Sequence, residues 1–527
     1  MRTITFTAVA IQIQALPAVH SFGVHRKAPF SSFRLYQQPE WSDFDDFVGD
    51  KTANLSSFFA PRPPDYSACS TRQFSLGADL ILSDFVGNMG FEEVTDWEYY
   101  YQDEDDQSNR KVVQPNPFDK SKPKRTRTSS GSLVRIFRAE FVGQLGGMLR
   151  AQGLDQRCLI KEFCGNLALQ LAQKETESLG RMQSLLLAKD KAYQQGEWKK
   201  TASARSVQLR QDNANVATLL QELKQSPFVG MLGEVNLAEL DDEWDPNEFY
   251  RALGVKPPSP DAIWLVYEYA GLSTIQAYAN PAVIKRSKLP PSRGFFGNVI
   301  EPPALPCFSE RADFIVKGII KGAIEAVAQL HEAGLVHRSI GRTSIYLSST
   351  TQDKTEAVSV FNTRRQILRV KVADLGFSGL YKDSTQSEEF CARARTFGLS
   401  FRKGDNNVAT ANFSIAEDMH ALGFVILALL LNTLAELPNP SFQMPNTDED
   451  TLQRLLGEIF EKDMDQFREY VEAEDIWTDL VQLLDENDRS GWKVLETLML
   501  AREKASKNKD TQQSFSIRGL LNSPFFA

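Results

Sequence analysis

Cysteine is scarce in this chain, with five residues among 527. Cys69, Cys158, Cys164, Cys307 and Cys391 are scattered, odd in number and not grouped as metal ligands are. That argues against a disulfide framework and predicts thiols in a reducing compartment. Positive charge is not in excess either. Lys and Arg number 59 against 68 Asp and Glu, a net charge of −9. The whole protein therefore has no electrostatic ground for holding nucleic acid or an anionic membrane. The longest apolar run toward the C-terminal half, 421–434, is too short to span a bilayer comfortably and predicts a buried core helix. Acidic residues are absent from 1–39, the first being Glu40.

What the N-terminus does contain is Arg2, a moderately apolar run, then a basic stretch with Ser and Phe, "FGVHRKAPFSSFRLYQQ". A weak signal segment followed by a transit-like segment fits 1–39 better than a disordered tail does. The layout resembles the two-part plastid presequences of algae with complex plastids, with the cut expected between Ser21 and Phe22. The resemblance implies a plastid location, and the short apolar run at 421–434 predicts a mature chain without a membrane span.

Residues 40–131 are expected to be an irregular extension and charged linker. Within them, 75–101 carries Leu76, Leu80, Leu82, Phe85 and Val86 at near-helical spacing, which predicts a short docking helix. "DEDD" at 103–106 and "KSKPKRTR" at 120–127 follow. The basic run reads as a solvated linker rather than a nucleic-acid patch, given its prolines and its "TSSGS" tail.

From residue 132 the pattern sharpens. Residues 133–139 alternate as a half-buried strand does. "RCLIKEF" alternates too and puts Leu159, Lys161 and Phe163 on one face. In the following helical stretch Leu171, Leu179, Met182 and Leu186 form a stripe that also holds Glu175, while Glu177 points away. A carboxylate on a buried stripe needs a partner, and Lys161 is the natural one. Residues 188–225 read as a solvated helical insertion, 288–306 as a Pro-rich loop and 350–366 as a polar excursion.

Two turns carry the rest. "AQLHEAGLVHRSIGRTSIYL", 328–347, reads as a helix end, a polar loop and a short strand, and "LRVKVADLGFSGL", 368–380, as a strand entering a glycine turn. Together they resemble the catalytic loop and metal-binding turn of the protein kinase superfamily. His337-Arg338 matches the start of H-R-D, and Asp374-Leu375-Gly376 matches D-F-G with Leu for Phe. The resemblance covers about 132–526. It implies an α+β, two-lobed fold: a β-rich small lobe over 132–269, with 188–225 inserted, and a helical large lobe over 270–527. Lys161 and Glu175 match the family's Lys–Glu pair. Tyr267 falls at the gatekeeper, with the backbone of Glu268 and Ala270 facing an adenine edge. Asp418 matches the acid that braces the catalytic loop.

The departures are chemical. The family's catalytic Asp falls at Ser339, its loop Lys at Gly341 and its second metal ligand, Asn, at Ser344. A serine hydroxyl is neutral near pH 7 and does not take up a proton unaided. Gly341 offers no cation, and Ser344 offers a short hydroxyl beside Asp374 for Mg²⁺. The G-x-G-x-x-G loop is missing; Gly143, Gly146 and Gly147 stand in its place at another spacing. Leu159 replaces the small alanine over adenine. The resemblance thus implies a pseudokinase that binds other proteins, with ATP and Mg²⁺ binding weakened. The alternative is an active, divergent Ser/Thr kinase using another carboxylate, Asp353 and Asp383 being nearest in sequence.

Overall fold

The computed structural model describes residues 4–9, 72–95, 127–195, 213–236, 262–271, 273–293, 299–300, 302, 304–349, 358–405, 407–507 and 515–527. The expected cut after Ser21, the charged runs at 103–106 and 120–126, Cys69 and Asp353 lie outside them.

The architecture is α+β, with a mixed sheet in the N-terminal part and helices dominating the C-terminal part, compatible with two lobes. The strands are β1 (Ile4–Val9), β2 (Gln73–Phe74), β3 (Leu80–Thr95), β4 (Arg127–Phe141), β5 (Arg157–Cys164), β6 (Met231–Val235) and β7 (Ile263–Glu268). Their order is β1-β3-β4-β5-β7-β6-β2, antiparallel throughout except for β2 beside β6. Helix α1 (Gly143–Ala151) joins β4 to β5, and α2 (Asn166–Gln195) follows β5.

Strand β5 is buried on both faces, and its alternation sorts two cores. Leu159 and Phe163 join the large core that continues into the helical part. Cys158, Ile160 and Cys164 join a smaller core on the sheet's other side, with Phe137, Trp264 and Val266. The expected alternation at Leu159, Lys161 and Phe163 is therefore present.

Four expectations are corrected. The stretch 75–101, read as a helix, contains strand β3 instead. Register shifts between Leu82 and Asp84 and between Phe85 and Gly87 add residues to the strand, and these bulges turn a period of two into a spacing that imitates a helix. The sheet accordingly begins ahead of residue 132, so 72–95 and 127–131 are not irregular linker. Gly143, Gly146 and Gly147 lie in α1 and not in a loop between strands. A Cβ on Gly146 would sit 2.3 Å from the Phe141 carbonyl oxygen, so this glycine serves close packing. Finally, the insertion is not all solvated. Helix Asn213–Leu223 buries Val216, Ala217, Leu220 and Leu223 on the sheet, a helical stripe present in the sequence.

The C-terminal part is built around helix Val408–Thr433, which contains all of the apolar run noted above except its last residue, Leu434. It is long and apolar enough to cross a membrane, but 89% of its apolar window is buried inside the protein, so it is a core helix. Helix Lys321–Glu332 and the helical segment Thr478–Met499, interrupted by left-handed backbone at Asn487, Asp488 and Arg489, contribute to the same core. A hairpin of Ile345–Ser349 and Leu368–Val372 faces the sheet. Its second strand is hydrogen-bonded to the segment before β6: Val372 N–H donates to Pro227 O at 2.8 Å, and Val229 N–H to Val372 O at 3.0 Å.

Candidate functional site

The cleft between sheet and helices collects the residues singled out in the sequence. Lys161 projects from β5 and donates to Glu175 Oε1 at 2.6 Å and to Asp374 Oδ1 at 2.8 Å. The expected pair is thus formed, and a second carboxylate joins it. Burial alone would pull the Lys161 ammonium down, but Asp374 and Glu175 outweigh it and hold its pKa well above the ordinary lysine value. Two carboxylates share one cation, so burial and the Asp374 charge push the Glu175 carboxyl up despite Lys161. The Tyr267 ring lies 4.8 Å from the ammonium, a cation–π contact.

Helix α2 is held against the turn that carries Asp374. Leu375 is fully buried, and a Cβ on Gly376 would stand 3.2 Å from the Leu171 carbonyl oxygen. Ser178 and Ser378 share a hydroxyl hydrogen bond of 2.7 Å. Arg181 Nε donates to Ala333 O at 2.9 Å.

The second turn sits beside the first. His337 Nδ1 accepts from Ser339 N–H at 3.3 Å, which leaves Nε2–H to donate to Ala373 O at 2.8 Å. This neutral tautomer links the two turns and gives His337 a structural role. Asp418, from the central helix, accepts from His337 N–H at 2.6 Å and Arg338 N–H at 2.8 Å, and pairs with His331 Nε2 at 3.0 Å. These bonds brace a strained backbone. Arg338 has φ 66° and Asp374 φ 62°, each a left-handed conformation costing a non-glycine residue about 1–3 kcal/mol. The bracing acid expected at Asp418 is in place.

The altered positions sit as follows. Ser339 is exposed at the end of the braced turn. Gly341 has open space where a side chain would project. Its neighbour Arg342 carries a cation, but Nε is bound to Glu449 at 2.7 Å. The Ser344 hydroxyl closes on its own loop, donating to Gly341 O and accepting from Gly341 N–H, both at 2.9 Å. Asp383 accepts from Gln386 at 3.2 Å in the segment after the second turn.

A metal ion does not fit this donor set. Asp374 gives an oxygen to Lys161, Ser344 is turned inward, and no cluster of three or more His, Cys, Asp or Glu suited to a metal is present among the described residues. The expected base-facing edge is not open to solvent at Ala270. Glu268 donates its N–H to Gly230 O at 2.9 Å, and Ala270 is completely buried.

Two cleft residues went unnoticed in the sequence. Lys371 donates to Glu268 Oε1 and Leu223 O, both at 2.6 Å, with the pair 2% and 3% exposed. A lysine at an inward position of the apolar strand "LRVKVA" was the available signal. Tyr346, opposite Lys371 in the hairpin, is the other. No protein-family model and no curated protein matches this chain.

Proposed function

We propose that the chain is a divergent member of the protein kinase superfamily that has lost phosphoryl transfer and serves as a binding or scaffolding module for other proteins. The single observation that carries the reading is the meeting of Lys161, Glu175 and Asp374 beside a turn braced by Asp418 and ending in Ser339. Those groups support a phosphotransferase ancestry. The chemistry around them supports its loss. At the end of the braced turn an alcohol stands where a proton acceptor is needed, and the nearby arginine is tied to Glu449. Helix Glu388–Thr396 occupies the segment where substrate-positioning structure would lie, and it packs Phe390 against Phe401 and Phe413.

The test is purified full-length protein with labelled ATP and Mg²⁺ or Mn²⁺. No incorporation into itself or into a generic acceptor protein is expected. Incorporation abolished by Asp374→Asn and by Lys161→Met would overturn the inactive assignment in favour of a divergent kinase.

A further inference from the structure

The nucleotide expected with such a cleft does not fit it, because two of the chain's own side chains take its place. We propose that Leu159 and Tyr346 fill the space a flat heteroaromatic base would need, so that the protein takes no adenine nucleotide; this rests on the kinase-like reading above.

The registers fix where both side chains point. Leu159 lies directly opposite Tyr267, and Lys161 lies opposite Leu265, two residues along the same face of β5. That face looks at the helical part, since Lys161 reaches Asp374. Tyr346 lies directly opposite Lys371 in the hairpin, so the two share a face. Lys371 reaches Glu268 at the end of β7, so this part of the hairpin abuts the end of β7 and the connection that follows it. A backbone bridge between Thr274 and Tyr346 ties it to that connection. The charges of Asp374, Lys161 and Glu175 act on the Tyr346 phenol, so Tyr346 lies beside the groups of the cleft and in the same core as Leu159.

Exposure shows that this space is filled. Leu159 and Tyr346 are each 5% exposed, Tyr267 2% and Ala270 0%. An open, base-sized slot would leave its walls to water. All four belong to the one continuous core that crosses from sheet to helices. Burial, followed by the Asp374 charge, pushes the Tyr346 phenol up, so it stays neutral. A small cavity lies farther along, where Val134, Ile136 and Phe377 surround Lys161 and Asp374. Lys161 is on this account a staple between β5, α2 and the Asp374 turn.

The experiment is thermal unfolding and equilibrium titration of full-length protein with ATP and Mg²⁺ or Mn²⁺. The wild-type midpoint should not move with ATP. The Leu159→Ala/Tyr346→Leu variant should show a saturable rise with ATP concentration, removed by adding Lys161→Met. Tyr346→Leu alone, the milder change, should show a smaller rise and serves if the double variant does not fold. Saturable, Lys161-dependent binding by wild type would overturn the plug while leaving the kinase-like reading intact. A folded opened variant that still takes no nucleotide would overturn both.

Discussion

Replacing Lys371 by methionine isolates the ion pair that ties the hairpin to the end of β7. The ammonium is 2% exposed and has Glu268 Oε1 and Leu223 O at 2.6 Å, with Phe228 O at 3.5 Å. Methionine keeps most of the volume and removes the charge. Glu268 is then left buried and anionic, with the Gly230 N–H at 2.9 Å as its remaining neighbour in this group. Removing one partner of a buried pair costs about 3–5 kcal/mol. Against a total stability of about 5–15 kcal/mol, that is a large share. The assay is chemical denaturation of wild type, Lys371→Met, Glu268→Gln and the double variant. Gln keeps an acceptor for Gly230 and carries no charge. The double variant should therefore be more stable than Lys371→Met alone, with a coupling of about 1–3 kcal/mol. A Lys371→Met protein within about 0.5 kcal/mol of wild type, the range of ordinary surface changes, would refute the reasoning.

Two further outcomes are expected. His420 is buried and its Nδ1–H donates to Met499 O at 2.5 Å; burial, aided by the Arg502 charge, lowers its pKa from 6.5 to about 3. Between those values the unfolded chain binds the extra proton and the folded chain does not. This contribution is whole above about pH 6.5 and falls by about 1.4 kcal/mol per unit as pH drops toward 3. Denaturation between pH 6 and 4 should approach that slope in wild type and lose it in His420→Gln. Gly376→Ala should cost about 1–3 kcal/mol, because its Cβ would stand 3.2 Å from Leu171 O and 3.4 Å from Glu175 Oε2, crowding α2. An unchanged denaturation midpoint would mean that α2 yields freely.

Much of the cleft was legible in the chain. Lys161 and Glu175 declared themselves by strand and helix periodicity, because a charge on an inward position needs a partner. The turns at 337–339 and 374–376, and Asp418 inside helix Val408–Thr433, were legible through their resemblance to protein-kinase motifs. The misread elements were those where local spacing is ambiguous. Bulges in β3 disguised a strand, and the glycines of α1 looked like a loop because their close neighbour, the Phe141 carbonyl, is set by packing.

The chain by itself determined that most of 421–434 lies in a core helix and that Lys161 and Glu175 face inward, while its resemblance to protein kinases implied the α+β fold and set Asp374 and the altered polar loop beside them. The tertiary structure alone decided that Asp374 shares Lys161 with Glu175, that Ser344 closes on Gly341, and that Lys371 spans to Glu268. It also decided that Tyr346 is buried in the same core as Leu159. Periodicity states which face of an element is inward, whereas the identity of the neighbour across a gap depends on how two elements from distant parts of the chain are set against each other.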